Sequence, residues 1–519
     1  MISRVDHKSV GILYMFSALV FFIVGGAEAM VMRAQLSLPN LKLLTPDLYN
    51  QIFTMHGTTM IFLVVMPVLM GFGVYLIPLM IGAKEMAFPR LNATAFWLQV
   101  AGGLLLYVSF ATGNAPNAGW FSYAPLTEKP YSPGPGMDFW AIAILLIAAS
   151  IIASAINFIV TIALGRTDGM TIRRLPLFVW MNLVNSVMIL FALPPLAAAL
   201  VMLLSDRLLH ARFFDAAQGG SPLLWQHYFW IFGHPEVYIM VLPAFGMISE
   251  IIPVFSRKSI FGYPFMASST LAIAFLSYGV WAHHMFAVAL GRAFLSVFAA
   301  ASMLIAVPTG VKIFNWTATM LGGSIRFTTS MMFAVAFLLE FTIGGLSGMA
   351  FATVPVDWQM TDTYFVVAHI HYVLFGGTIF ALFAATYYWY PKMTGKLLDE
   401  TLGRFHFWFV IVGFNMTFFV QHFLGLLGMP RRVYTYANVP WWGPLNLVST
   451  IGAGILTFGV LIFVTNILVS LQFGKEAGED PWNAWTLEWV SDWAIPVAVR
   501  SRRPLWDLKN PETPDWVHE

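Results

Sequence analysis

Two imidazoles stand inside an apolar run, in Val366-Val367-Ala368-His369-Ile370-His371-Tyr372. A helix turns about 100° per residue, so His369 and His371 point to nearly opposite faces of one rod. That arrangement suits two ligands on one metal poorly. It suits a helix wedged between two metal centres, one imidazole serving each. A single histidine on an apolar face is ordinarily a core residue satisfied by neighbours. Here four more, His56, His234, His283 and His284, fall in other apolar runs. Around His234 the stretch reads His234-Pro235-Glu236-Val237-Tyr238. Pro235 weakens the helix and frees backbone groups. His234 and Tyr238 are i and i+4 and share a face, while Glu236 points away from both. A His, a carboxyl and a phenol this close together are expensive in an apolar span and mark function. His283 and His284 diverge by about 100° on a helix and converge on one ion only from an edge facing it. Lys312, in Pro308-Thr309-Gly310-Val311-Lys312, either snorkels to a membrane face or serves a proton path.

These residues need elements to hold them. The chain has 519 residues, 59% hydrophobic, 16% aromatic and 10% charged, far from a soluble average. Runs at about 11–33, 51–81, 95–113, 138–164, 177–204, 226–254, 263–286, 293–316, 328–351, 363–391, 403–427 and 445–472 are long enough, or nearly so, to cross a ~30 Å hydrocarbon core. The expected fold is therefore an all-α integral membrane protein with twelve transmembrane helices. Residues 1–473 are expected to form one domain, and 474–519 a Trp-rich charged tail at the interface with no chemistry of its own. Lys and Arg concentrate in the loops on the side of the N-terminus, which places both termini in the cytoplasm. With no cysteine there is no disulfide and no thiolate metal site. A net charge of +2 gives no footprint for nucleic acid.

At 1.5 Å per residue the histidines can be placed by depth. His56, His234 and His369 follow the outer ends of inward spans, and His283 and His284 sit near the outer end of an outward one. With His371, all fall in the outer half of the membrane. Neutral imidazole binds iron and copper, so haem iron and a His-only copper are the natural candidates. Gly57, Gly71 and Gly73 leave room for something flat. Arg33 ends the first span at the outer boundary, and Asp357 and Asp362 precede the paired histidines. Arg431 and Arg432 need an acidic partner, which the carboxylates of a cofactor would supply.

From about Tyr14 to Phe473 the chain resembles subunit I of the A-type haem–copper terminal oxidases. The resemblance rests on His234-Pro-Glu-Val-Tyr238, His283-His284, Pro308-Thr-Gly-Val-Lys312, His369-Ile-His371 and Met429-Pro-Arg-Arg432. It implies His56 and His371 as axial ligands of a low-spin haem, and His369 as the single ligand of a high-spin haem. It implies His234, His283 and His284 on copper B, with Tyr238 cross-linked to His234. Arg431 and Arg432 match propionate-binding arginines, Asp357 a propionate-side acid, and Arg33 an Arg beside the low-spin haem. Glu236 and Lys312 match the key residues of two inward proton paths. Asn92, Ser150 and Asn157 line the first. Thr309 and Ser249 line the second, with Glu250 near its mouth.

The implied activity is reduction of O₂ to water with electrons from cytochrome c, coupled to proton pumping. The implied cofactors are haems a and a3 and copper B. A subunit II carrying copper A, a subunit III and other membrane subunits are the implied partners, in a bacterial cytoplasmic membrane. Three positions depart from the family. Glu85 replaces the Asp at the mouth of the Glu236 path, with Lys84 and Arg90 nearby to keep it ionised. Val74 replaces a lining Asn. Thr361 replaces a His that helps hold magnesium beside Asp362, which removes one ligand of that site.

Rival readings differ at specific residues. A twelve-span transporter needs no histidines at one depth. Nitric oxide reductases lack the Tyr matching Tyr238. Quinol oxidases carry Arg, Asp and His for quinol where this chain has Val24, Glu28 and Leu48, which favours cytochrome c.

Overall fold

The computed structural model describes residues 4–288, 290–490 and 498–510. Parts of the tail expected at the interface, 491–497 and 511–519, lie outside the described residues. The described chain is helical, without strands. Its principal helices are α1 (His7–Gln35), α2 (Pro46–Ile81), α3 (Pro89–Ala111), α4 (Gly136–Leu164), α5 (Leu177–Leu209), α6 (Pro222–Ser256), α7 (Tyr263–Ser277), α8 (Arg292–Met320), α9 (Thr329–Phe351), α10 (Tyr364–Thr394), α11 (Glu400–Leu426) and α12 (Trp442–Phe473).

Eleven of these are long and apolar enough to cross a membrane. The exception is α7, with 15 residues. The expected span 263–286 is not one helix. It stops at Ser277, turns through Tyr278-Gly279, and continues as a 3₁₀ turn over Trp281–Met285. A span need not be α-helical throughout where protein rather than lipid surrounds it.

Helix starts follow from side-chain caps. Asp6, Thr45, Thr328, Thr363 and Asp399 each accept a hydrogen bond from a first-turn N–H of the helix they precede. Two helices carry a π-helical segment, over Thr59–Val65 in α2 and Leu374–Ile379 in α10. Each begins three residues after a histidine, His56 or His371. Such bulges re-aim side chains and concentrate at functional sites.

Small residues set the helix spacing. A Cβ on Gly11 of α1 would meet the Gly71 carbonyl at 2.9 Å, and one on Gly71 would meet the Gly11 carbonyl at 2.9 Å. Gly73 lies against Phe158, and Gly57 against Trp120. The expectation that these three glycines make room for a flat ligand is therefore corrected. Other protein groups fill that space, as in close helix packing generally. Of the long helices, α2 and α6 are the most enclosed and α8 the least. The first two carry His56 and His234.

Part of the tail packs against the helices. Glu488 and Trp489 are fully buried, and the Trp389 indole N–H donates to Glu488 Oε1 at 3.1 Å.

Candidate metal centres

His369 and His371 leave α10 on different sides, as the helical step requires. His369 Nδ1 lies 3.0 Å from the Gly344 carbonyl and 2.9 Å from Ser347 Oγ, both on α9. His371 Nδ1 lies 2.8 Å from the carbonyl of Val367 in its own helix. His56 Nδ1 lies 2.8 Å from the Gly25 carbonyl on α1. A carbonyl only accepts, so Nδ1 carries the proton in all three rings. Nε2 is then the free ligand nitrogen, and the carbonyl partner fixes the ring's orientation.

The His56 and His371 rings lie 6.5 Å apart between centres, with planes 15° apart. Two metal–imidazole bonds of about 2 Å each, plus the depth of two half-rings, come to roughly 6–6.5 Å. The pair is spaced so that it could hold one ion between the two rings. Phe418 stacks on His371 at 4.0 Å and holds its plane.

A second group forms where α6 meets the 3₁₀ turn after α7. His234 Nδ1 lies 3.3 Å from His284 Nε2, which lies 3.1 Å from His283 Nε2. One ligand nitrogen from each of the three falls within 4.8 Å of the others. Three neutral imidazoles at that spacing can bind one copper ion. The 3₁₀ turn solves the problem posed by adjacent histidines. They converge because they are not on an α-helix edge, contrary to the reading from sequence. Ser302 Oγ lies 2.7 Å from His283 Nδ1, and Trp230 stacks on His284 at 3.9 Å and 10°. Neither Ser302 nor Trp230 was marked by any spacing in the sequence.

His234 Nε2 is buried with no partner. The Tyr238 ring packs edge-on to His234 at 4.8 Å, one turn further along α6. Glu236 is fully buried, and both its oxygens lack a partner. A buried carboxyl without a hydrogen bond carries a large desolvation cost, so its retention marks a working group.

The other expected residues are placed unevenly. Lys312 is buried and donates to Thr270 Oγ1 at 2.6 Å and to the Met266 carbonyl at 2.9 Å. No spacing in the sequence marks Thr270. Thr309 bonds to the Ile305 carbonyl, and Ser249 to the Phe245 carbonyl, each within its own helix. Glu250 accepts from the Phe178 N–H. None of these three hydrogen-bonds to Lys312. Asn92 is buried with both amide atoms unpartnered. Ser150 donates to the Ala95 carbonyl, and Asn157 pairs with both backbone groups of Phe88.

Glu85 accepts the His7 N–H through both oxygens, at 2.9 and 3.1 Å, and the Met86 N–H. Burial pushes its carboxyl up, against these backbone bonds and Lys8, which pull it down. The charges acting on it are Asp6 and Lys8, not the Lys84 and Arg90 expected from sequence. The His7 ring lies on the carbonyl of Val74, the departing position, at 3.2 Å.

Arg33 is committed to α12, where it donates to the Asn446 carbonyl, Asn446 Oδ1 and Thr450. Its Nε has no partner. Arg431 pairs with Asp362 at 2.7 Å. The carboxylate expected beside magnesium is thus engaged by a guanidinium. Arg432 lies 3.9 Å over the Phe121 ring, and burial together with the Arg431 charge lowers it to about 9. Burial, with repulsion from Asp362, raises Asp357 to about 7. Glu28 Oε1 accepts the Tyr107 hydroxyl at 3.1 Å.

Comparison with known proteins adds to this geometry. The family model described as Cytochrome C and Quinol oxidase polypeptide I matches residues 9–455. Cytochrome c oxidase subunit 1 of Bacillus sp. (strain PS3) is 50% identical over 97% of this chain and 82% of its own length. Quinol oxidase subunit 1 of Bacillus subtilis (strain 168) is 48% identical over 95% of this chain and 77% of its own. A heme-copper terminal oxidase dimer solved by cryo-EM has the same fold, with a TM-score of 0.77 at 20% identity, over 97% of this chain and 89% of that one.

Proposed function

The chain belongs to the cytochrome c and quinol oxidase polypeptide I family, and from that membership we propose how its residues divide the work of reducing O₂ to water. It is the catalytic subunit of a haem–copper terminal oxidase, a membrane-spanning oxidoreductase of the respiratory chain. Cytochrome c is the favoured donor.

His56 and His371 hold the low-spin haem, His369 the high-spin haem, and His234, His283 and His284 the copper. The observation that carries this assignment is the near-parallel 6.5 Å ring pair together with a three-imidazole cluster. When bound, the haems and copper supply the electrons and the site at which O₂ is reduced. The haems are of a and a3 type. Magnesium is not assigned, since Arg431 takes Asp362. Asp357, Arg431 and Arg432 lie at the propionate side, and Arg33 lies beside the low-spin haem.

Tyr238 supplies a proton from its hydroxyl next to the copper ligands. The unpartnered Nε2 of His234 is the nitrogen available for a cross-link to its ring. Glu236 holds and passes protons that enter at Glu85 and move along Asn92, Ser150 and Asn157. Lys312 holds protons on a second path. Thr270 is its nearest hydroxyl, with Thr309, Ser249 and Glu250 further along. Both paths open to the cytoplasm, where both termini lie. The break after α7 completes a twelfth crossing in a bacterial cytoplasmic membrane. A copper-A-bearing subunit II delivers the electrons, and a subunit III and other membrane subunits complete the complex.

A second reading, as quinol oxidase, is supported by the Bacillus subtilis relative. Reduced-minus-oxidised and pyridine-adduct spectra with metal analysis test the cofactors. Two haems and one copper per chain are expected. Rates with reduced cytochrome c and with a quinol separate the donors.

A further inference from the structure

A cavity of about 300 Å³ opens beside the first turns of α9 and α11. Arg326, Phe327, Glu400, Arg404 and Trp482 help to line it. None of its lining residues is a metal ligand or proton-path residue named above.

Its charge is unbalanced. Among the described residues, no acidic group ion-pairs with Arg326 or Arg404. Glu400, the one acid in the lining, is already used. Its Oε2 accepts both the backbone N–H and the hydroxyl of Thr329, at 2.9 and 2.8 Å. A third guanidinium sits behind the wall, with Arg257 Nη1 donating to the Trp482 carbonyl at 3.2 Å. Burial, and then the charge of Arg326, lower Arg257, with only Asp480 opposing them. Asp480 itself is bonded to Lys509. Two guanidinium groups and one carboxylate thus line the cavity, with a third guanidinium behind its wall, so the surroundings carry a net positive charge.

Each rim arginine is followed directly by an exposed aromatic. Phe327 after Arg326 is 60% exposed, and Phe405 after Arg404 is 54% exposed. In a membrane protein such a pair straddles the boundary, the ring among acyl chains and the guanidinium at headgroup depth. The two Arg-Phe units flank one cavity. A soluble anion would use the arginines and leave the phenylalanines without purpose. A lipid uses both.

We infer that this cavity binds the phosphate headgroup of an anionic phospholipid, with its acyl chains against Phe327 and Phe405. Guanidinium recognises phosphate through paired N–H donors. A zwitterionic choline lipid would bring its own cation among the three arginines and is disfavoured.

The test uses the purified complex in detergent, exchanged against phosphatidylglycerol or phosphatidylcholine, with retained lipid counted by native mass spectrometry. Wild type is expected to retain phosphatidylglycerol in preference. Each basic residue near a membrane surface contributes about fivefold in affinity for an anionic lipid. R326Q/R404Q should then lose about 25-fold in phosphatidylglycerol binding. R326K/R404K, which keeps both charges, should retain most of it. Haem spectra unchanged in both variants show that the fold is intact. Equal retention of the two lipids, or undiminished phosphatidylglycerol in R326Q/R404Q, would overturn the inference. So would displacement of the lipid by millimolar inorganic phosphate, which would make the site one for small anions.

Discussion

His56 on α2 and His371 on α10 face each other with ring planes 15° apart and centres 6.5 Å apart. Each ring is held by a carbonyl on Nδ1, from Gly25 and Val367 respectively. Each stands three residues before a π-helical segment. Two helices remote in sequence thus place matched ligands across a gap of one ion's width. Ala in place of His56 should abolish the low-spin haem signal and leave the high-spin one, because His369 bonds to α9 and not to α2. Visible spectra of the purified variant check this. Retention of both haem signals would refute the assignment.

The three-histidine cluster depends on a hydroxyl outside it. Ser302 Oγ lies 2.7 Å from His283 Nδ1 and donates back to the Phe298 carbonyl. Removing such an outer partner typically costs 10–100-fold in metal affinity. Ser302→Ala should therefore lose copper to a chelator far more readily than wild type, with both haems retained. Copper content after graded chelation is the measurement. A loss curve matching the parent's would assign Ser302 to packing alone.

Thr270, not Thr309, holds Lys312. Thr270→Val keeps the shape and removes that partner. It should slow proton delivery through Lys312 by about tenfold, less than the roughly 10²–10⁴-fold that a positioned proton-transfer group itself contributes, because Thr270 acts through Lys312. Lys312→Met should be more severe still. Reduction kinetics of the high-spin haem report both. Thr309→Val should do less than Thr270→Val, and the reverse order would restore the sequence-based assignment.

Glu85 is tied to the start of α1 through the His7 N–H. Glu85→Gln keeps a hydrogen-bonding side chain there but cannot ionise. It should slow oxygen consumption severely, and Glu85→Asp should recover much of it. Glu236→Gln should be at least as damaging. Respiration and proton release in vesicles test all three. If Glu85→Gln pumped normally, protons would enter elsewhere.

Asp357 gives a pH signature. Burial, and then Asp362, raise its carboxyl from 3.8 to about 7. Between these values the folded protein holds a proton that the unfolded chain releases. Its stabilising contribution is therefore full below about 4 and falls away as pH rises through about 7. Asp357→Asn is neutral throughout. Its melting temperature should match the parent's near pH 4, exceed it increasingly up to pH 7, and then hold a constant lead. Thermal melts across that range check the sign. A lead that shrank with rising pH would contradict it.

Much of this was legible in the residues alone. Apolar runs of membrane-crossing length follow from the cost of unpaired backbone in hydrocarbon, and eleven of the twelve are helices long enough to cross. That His369 and His371 leave α10 on different sides follows from the helical step, a local property. The i,i+4 contact of Tyr238 with His234 is local in the same way.

What depended on separate helices meeting in space was not legible. Periodicity describes one rod and carries nothing about its neighbour. Only the tertiary structure decided that α7 stops at Ser277, so that His283 and His284 converge from a 3₁₀ turn. Only it brought Ser302 to His283, Thr270 to Lys312 and the His7 N–H to Glu85. It also buried Glu488 of the tail. A polar side chain's partner is set by which groups remain unsatisfied once the helices pack. That is a property of the whole bundle, and no window of the sequence contains it.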